Sequence, residues 1–210
     1  FLKERLPHYS DSCEIPSVQA TSKLSPYIEW GQISVRSIWK EASKLDGAEE
    51  FIEQILWRDF AFMSLFRYPQ LVSEPFNKDY DSFPWQDNQE YWQAWCEGRT
   101  GYPLVDAGMR ELAQTGWIHN RMRLVVSSFL IKNLNISWQQ GIKWFEEKLI
   151  DVSQPVAVLN WQMVAGCGLE AYPFSRVLNP ITQGRKFDPD GTYIYHWVPE
   201  LRELPQNWLH

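Results

Sequence analysis

Three hydroxyls and an ammonium stand within five residues near the start of the chain: Thr21, Ser22, Lys23 and Ser25, with Leu24 between them. Hydroxyls, backbone N–H groups and a nearby cation are what a phosphate or pyrophosphate needs as a cradle, usually beside a helix N-terminus. The same residue types build ordinary caps and turns, so the cluster alone leaves a phosphate loop and a plain turn both open. Further along, Trp117, Asn120 and Arg123 recur every three residues. That spacing puts an indole, an amide and a guanidinium on one face of a helix. Such a stripe either meets a polar ligand or closes a buried polar network, because unpaired polar groups are costly to bury. Other chemistries lack their residues. Gly166-Cys167-Gly168 has neither the third glycine nor the preceding strand of the dinucleotide fingerprint. No G-x-S-x-G or Walker loop occurs. His8, His119, His196 and His210 are scattered and no cysteines are paired, so no metal site is expected. Glu146-Glu147, beside Lys143 and Lys148, read as a solvated helix face.

The elements that must position these residues are helical. Ser34 is an N-cap candidate for a helix running through Ile38 and Trp39 to about Leu45, stopped by Gly47. A second helix is predicted from Ala48 to about Phe66, with Ile52, Leu56, Phe60 and Met63 on one stripe, ending near Pro69. Residues 70–87, with Pro75, Pro84 and several Asp and Asn, read as loop. Pro103 suits the first position of a helix that ends at Gly116, and further helices are expected at 119–133, 137–149 and 156–165. Tyr9 to Pro16 reads as an ordered loop, and Thr192–Tyr195 as the one short strand. The fold class is all-α: a linker or entry loop over 1–20, then one helical domain over 21–210.

Composition narrows the functional classes. The net charge of −6 argues against coating nucleic acid non-specifically but leaves room for a local basic groove. Twelve tryptophans are well above ordinary usage, with core packing as their default explanation. Cys13, Cys96 and Cys167 are odd in number and read as free thiols in a reducing compartment: cytoplasm, nucleus or plastid. No apolar run approaches the roughly 18 residues of a membrane span, which suggests a soluble protein. A chain that opens on Phe1 is expected to be part of a longer polypeptide, with any targeting peptide outside it.

Five blocks carry a resemblance. They are Thr21-Ser22-Lys23-Leu24-Ser25-Pro26, Leu56-Trp57-Arg58-Asp59-Phe60, the stretch from Trp95-Cys96-Glu97-Gly98-Arg99-Thr100-Gly101-Tyr102-Pro103 to Arg110, Thr115-Gly116-Trp117-Ile118-His119-Asn120-Arg121-Met122-Arg123, and Asn179-Pro180-Ile181-Thr182-Gln183-Gly184-Arg185-Lys186-Phe187-Asp188-Pro189. Together, in this order, they resemble the helical flavin-binding domain of DNA photolyases and cryptochromes, over nearly the whole chain. The family's N-terminal α/β antenna domain has no counterpart in these residues. The resemblance implies FAD as cofactor, with Thr21, Ser22, Lys23, Leu24 and Ser25 as the phosphate loop. It places Tyr9, Arg58, Trp117, Asn120, Arg123 and Asp151 against the cofactor. It also implies photoreduction of the flavin by blue light through Trp161, nearest the ring, then Trp138 and Trp85. On the DNA side it assigns Trp57 as a stacking wall for a flipped pyrimidine dimer, and Arg121 and Arg176 as phosphate contacts.

Several family positions have changed. Ser153 stands where a second aspartate is expected, and Ala157 where a residue faces flavin N5, so the hydrogen bonding of a reduced flavin differs. Gln54 replaces the carboxylate that binds the dimer, Met163 a second tryptophan wall, Leu124 a methionine, and Cys13 an arginine. Three readings follow. The first is a FAD-binding, blue-light-responsive flavoprotein with weak or lost DNA repair. The second is a cyclobutane-dimer photolyase, a deoxyribodipyrimidine photo-lyase, acting on DNA. The third is a flavin-free scaffold that binds a protein partner.

Overall fold

Side chains at the helix ends explain most of the architecture of the computed structural model, which describes residues 1–169, 172, 174 and 176–210, with the backbone alone at Asn207. Among the described residues eleven α-helices follow one another: α1 Tyr9–Ser12, α2 Ser25–Glu29, α3 Val35–Ala42, α4 Glu49–Arg67, α5 Gln89–Cys96, α6 Pro103–Thr115, α7 Asn120–Ser128, α8 Trp138–Lys148, α9 Gln154–Ala165, α10 Pro180–Phe187 and α11 Thr192–Trp197. Ser34, Asn88, Ser137 and Asn179 each accept a hydrogen bond from the backbone N–H three residues on, starting α3, α5, α8 and α10. Gly116, at φ +68°, ends α6 in the left-handed region. α7 runs on into a π-helical turn over Phe129–Asn133, so the helix expected over 119–133 is α-helical for its first part only.

Three local expectations are corrected. Thr192–Tyr195 is not a strand but the start of α11. The Asp188 carboxylate accepts the N–H groups of Tyr193 (2.8 Å) and Ile194 (2.9 Å), and this capping outweighs the β preference of Thr, Tyr and Ile. The stretch from Tyr9 is not wholly loop, since α1 packs Tyr9 and Cys13 beside Leu6. α9 starts at Gln154, two residues early, because Pro155 fits a first helical turn.

The middle of the fold is α6, buried at Leu104, Val105, Asp106, Ala107, Gly108, Met109, Glu111 and Leu112. It packs against α5, α7, α10 and α11, while α9 bridges α4, α7 and α8. A second, smaller core joins Leu6, Tyr9 and Cys13 to Ile38 and Ala42 of α3 and to Phe51 and Ile55 of α4. The Gly98–Arg110 block is a fastener for this arrangement. Its Asp106 carboxylate accepts from Thr100 N (2.7 Å), Thr100 Oγ1 (2.6 Å) and Gly101 N (3.1 Å), and Arg110 Nε donates to Gly98 O. Gly98, at φ +62°, cannot carry a Cβ there, because it would lie 2.8 Å from Asp106 O.

Candidate functional site

The site is assembled where α6 hands over to α7. After Gly116 the chain turns so that Gly116 O accepts from Ile150 N (2.8 Å), drawing the α8–α9 connection alongside Trp117. That places Asp151, one residue on, within reach of α7. Arg123 Nη2 donates to both Asp151 oxygens, at 2.9 and 2.7 Å, and Arg123 Nε donates to Ile118 O. The Asp151 side chain is 1% exposed and that of Arg123 is 27% exposed, so the pair is mostly withdrawn from water. Such a pair is costly to break from one side, because the remaining charge is then buried alone.

The hydroxyl loop meets this corner from the other end of the sequence. Lys23, in the left-handed region at φ +53°, holds its ammonium 4.9 Å from the Trp117 ring centre. Trp117 Nε1 lies 3.4 Å from Ser25 Oγ, and Ser22 Oγ accepts from Leu24 N. Arg5 Nη1 donates to Thr21 O, tying the loop to the chain's first residues. Trp30 Nε1, just past α2, donates to Ile150 O at 2.9 Å. Thr21–Ser25, Trp117, Arg123 and Asp151 are thus brought together. Arg58 joins through Glu29 of α2 (3.4 Å) and lies 4.3 Å from the Phe62 ring centre. Asn120 is exposed at the first position of α7. Tyr9 is held in the smaller core against Phe1 and Phe51, away from the Trp117 corner in its ring contacts.

These residues fit a flavin dinucleotide. Ser153 begins α9 without capping it, and its Oγ is buried with no hydrogen-bond partner. An unpaired buried hydroxyl costs free energy that a polar ligand edge would recover. Lys23, Arg58 and the hydroxyls of Thr21, Ser22 and Ser25 have the chemistry to hold a pyrophosphate. His119, at the N-cap of α7, accepts from Arg121 N through Nδ1, and burial pushes its pKa down to about 4. Near neutral pH it is an uncharged cap. Burial first, with neighbouring acidic groups assisting, pushes the Cys13 thiol up to about 11 and that of Cys96 to about 12. Burial likewise pushes Cys167 up to about 12, so all three stay protonated near neutral pH.

Trp161 lies on α9, one turn beyond Ala157, and is buried at 4% exposure. Its ring sits flush on α8 at Gly141, where an added Cβ would come 2.3 Å from Trp161 Cη2. Trp138 is buried on the same helix, one turn earlier, and Trp85 is half-buried. Gln162 fixes the α9 register by donating to Leu71 O and Glu74 O and accepting from Phe76 N.

The residues assigned to DNA divide. Trp57, Phe60, Leu71, Leu159, Gln162 and Met163 line one cavity of about 20 Å³, room for roughly one water molecule. Gln54 is exposed one turn before Trp57 on α4. Arg176 Nη2 approaches Met163 Sδ at 3.9 Å. Arg121 is ion-paired with Glu14 and stacked 4.4 Å from the Phe187 ring centre. Glu14 is a residue that the sequence reading did not select; its position directly after Cys13 was the available signal. Among the described residues no group of three His, Cys, Asp or Glu side chains is placed to hold a metal, and no helix is long and apolar enough to cross a membrane.

Comparison with known proteins gives the family and the fold. A family model described as the FAD binding domain of DNA photolyase matches residues 51–210. The deoxyribodipyrimidine photo-lyase of Agrobacterium fabrum is 43% identical over 100% of this chain and 45% of its own length. Cryptochrome-1 of Sinapis alba is 38% identical over 100% of this chain and 44% of its own. The crystal structure of a bacterial class III photolyase from Agrobacterium tumefaciens matches with a TM-score of 0.95 at 42% identity, covering 100% of this chain and 45% of that one. The chain spans less than half the length of these relatives.

Proposed function

The chain belongs to the photolyase and cryptochrome family and carries its FAD-binding domain, and on that premise we propose a blue-light-responsive flavoprotein, reduced through tryptophans and weak in DNA repair. The observation that carries this reading is the Trp117 corner, where residues as distant in sequence as Lys23 and Asp151 meet around one indole and one buried ion pair. Thr21, Ser22 and Ser25 bind the pyrophosphate with their hydroxyls, Leu24 lies within that loop, and Lys23 and Arg58 balance its charge. Arg123, fixed by Asp151, presents its guanidinium to the polar edge of the ring. Asn120 flanks it one turn earlier on α7, and Trp117 approaches from the non-helical turn ahead of α7 rather than from the shared helix face that its three-residue spacing predicts; Tyr9 supports the loop side. Bound FAD supplies the light absorption and the site that accepts electrons. Trp161 donates first, and Trp138 and Trp85 refill it.

Repair of cyclobutane pyrimidine dimers is the second reading. Trp57 supports it by lining a cleft on α4. It ranks second because Met163 walls that cleft where a second tryptophan would stack, and because the Arg121 charge is already engaged by Glu14. Gln54 offers a neutral acceptor where a charged one would bind more strongly. Photoreduction of the Trp161→Phe protein tests the first reading. The rate should fall about tenfold or more, equivalent to ~1.4 kcal/mol of barrier. An unchanged rate would make Trp161 a packing residue. Prompt light-dependent repair of thymine dimers by the unmodified protein would put the second reading first.

A further inference from the structure

α4 turns an apolar ridge to the outside of the fold. Its inner side is buried at Phe51, Ile55, Ala61 and Ser64. On the opposite side Leu56, Phe60, Met63 and Phe66 follow one another at steps of three or four residues. All four are exposed, Met63 at 70% and Phe66 at 91%. Single apolar side chains are ordinary on a surface, but a continuous ridge of large ones marks a contact site. At 1.5 Å per residue this ridge is about 15 Å long.

Its two ends are oppositely charged. Glu53 stands before the ridge, one turn beyond the acidic first turn of Glu49 and Glu50, and Arg67 stands after it in the last turn. Both are exposed, and among the described residues neither forms an ion pair; Arg67 lies 5.9 Å from the Tyr68 ring centre. Each is seven residues from Phe60. They therefore stand about 10 Å to either side of it along the axis, and about 40° apart round the helix.

We propose that α4 pairs with α4 of a second copy of this chain, antiparallel, about a two-fold axis at Phe60. The charge pattern selects this occupant. Antiparallel pairing brings Glu53 of each copy level with Arg67 of the other, because the two positions are equally far from the axis. It also sets the two helix dipoles against each other in the favourable sense. A parallel pair would set Glu53 on Glu53 and Arg67 on Arg67. The same symmetry lays Phe60 on its own counterpart and Leu56 beside Met63 of the other copy. Asp59, the one charge within the ridge, lies about 60° round the helix from Leu56 and stays in water at the seam's edge.

Phe60 also lines the small cavity beside Trp57, and the two rings touch, with centroids 5.4 Å apart. Self-association therefore closes the cleft considered above for a flipped base. The inference goes beyond the flavoprotein reading and does not depend on it.

Sedimentation equilibrium of the purified protein, with and without added FAD, measures the association. A monomer–dimer equilibrium at micromolar concentration is expected. Met63→Lys, at a site exposed enough to leave the fold intact, should abolish it by facing an ammonium to Leu56 of the other copy. Glu53→Arg and Arg67→Glu should each weaken it about tenfold or more, turning two ion pairs into two like-charge contacts. The double exchange of Glu53→Arg with Arg67→Glu should restore the unmodified constant. Phe60→Cys, beside the axis, should form an intermolecular disulfide under mild oxidation. The unmodified protein, with Cys13 and Cys167 buried and Cys96 half-buried, should not. A protein that stays monomeric at high micromolar concentration overturns the proposal and leaves the ridge to a partner of other sequence. A dimer that survives Met63→Lys, or a double exchange that fails to restore association, overturns it equally.

Discussion

Replacing Gly141 by alanine probes how tightly Trp161 is placed. The new methyl would lie 2.3 Å from Cη2 and 2.4 Å from Cζ3 of Trp161, and 2.8 Å from Leu130 Cδ2. Comfortable carbon contacts begin near 3.5 Å, so the ring or the helix must retreat by about 1 Å. α8 cannot easily yield, since Trp138, Ile142 and Phe145 are all buried in the main core. Overpacking of this kind costs about 1–3 kcal/mol. For a domain of this size each kcal/mol moves Tm by about 2–4 °C, so a loss of roughly 2–12 °C is expected. Trp161→Phe removes the two crowding atoms. In that background Gly141→Ala should therefore cost much less, with a coupling of about 0.5–3 kcal/mol. Urea denaturation of the four proteins, with m-values compared, measures the cycle. Losses that add within about 0.5 kcal/mol would refute the close approach of Trp161 to α8.

Three further outcomes follow from the site. His119 titrates near pH 4 when folded, because burial penalises its charged form, and near 6.5 when unfolded. Above pH 6.5 both states are neutral, but as pH falls toward 4 the unfolded chain takes up a proton that the folded one refuses. Stability should then drop by up to about 3 kcal/mol from this group. His119→Asn, which keeps a capping acceptor, should remove that component from the urea-derived pH profile, and an identical profile would contradict the assignment. Glu14→Gln releases Arg121 from its ion pair, so binding to undamaged DNA should strengthen and its log–log salt slope should steepen by about 0.9. Fluorescence anisotropy across a salt series decides this, and an unaltered slope would show that Arg121 does not reach a phosphate. Asp151→Asn replaces the charged acceptor of Arg123 by a neutral one and should cost about 1–3 kcal/mol in urea denaturation; a neutral effect would mean that the pair is not the site's anchor.

Helix starts were legible because they depend on one side chain and its neighbours three residues on. Ser34 caps α3, Pro103 opens α6, and Gly116 closes it in the left-handed region. α11 was not legible, because its cap, Asp188, lies four residues upstream across the left-handed turn at Gly191. A Thr-Tyr-Ile run looks extended when that carboxylate is ignored. The hydroxyl loop could be proposed from composition alone, yet its placement against Trp117 depends on a tertiary cation–π contact between Lys23 and that ring. The Arg121–Glu14 pair joins residues far apart in sequence, and its one local hint was that Glu14 directly follows Cys13, which stands where an arginine was expected. Gly141 gave no signal either, since a helix-interior glycine is explained only by the ring lying on it. The stretch from Trp95 to Arg110, the most recognisable block, proves largely structural: its Asp106 and Gly98 lock a turn. Recognisability and chemistry therefore part company here.

In the function proposed above, the corner around Trp117, Arg123 and Asp151 holds FAD where Trp161 reduces it. The most direct measurement adds FAD to the flavin-free protein, removes the excess by dialysis, and records the absorption spectrum before and during blue illumination with a thiol under nitrogen. A yellow protein with FAD bound is expected, whose blue absorption band bleaches in the light and recovers in air. A folded protein that stays colourless after dialysis would contradict it.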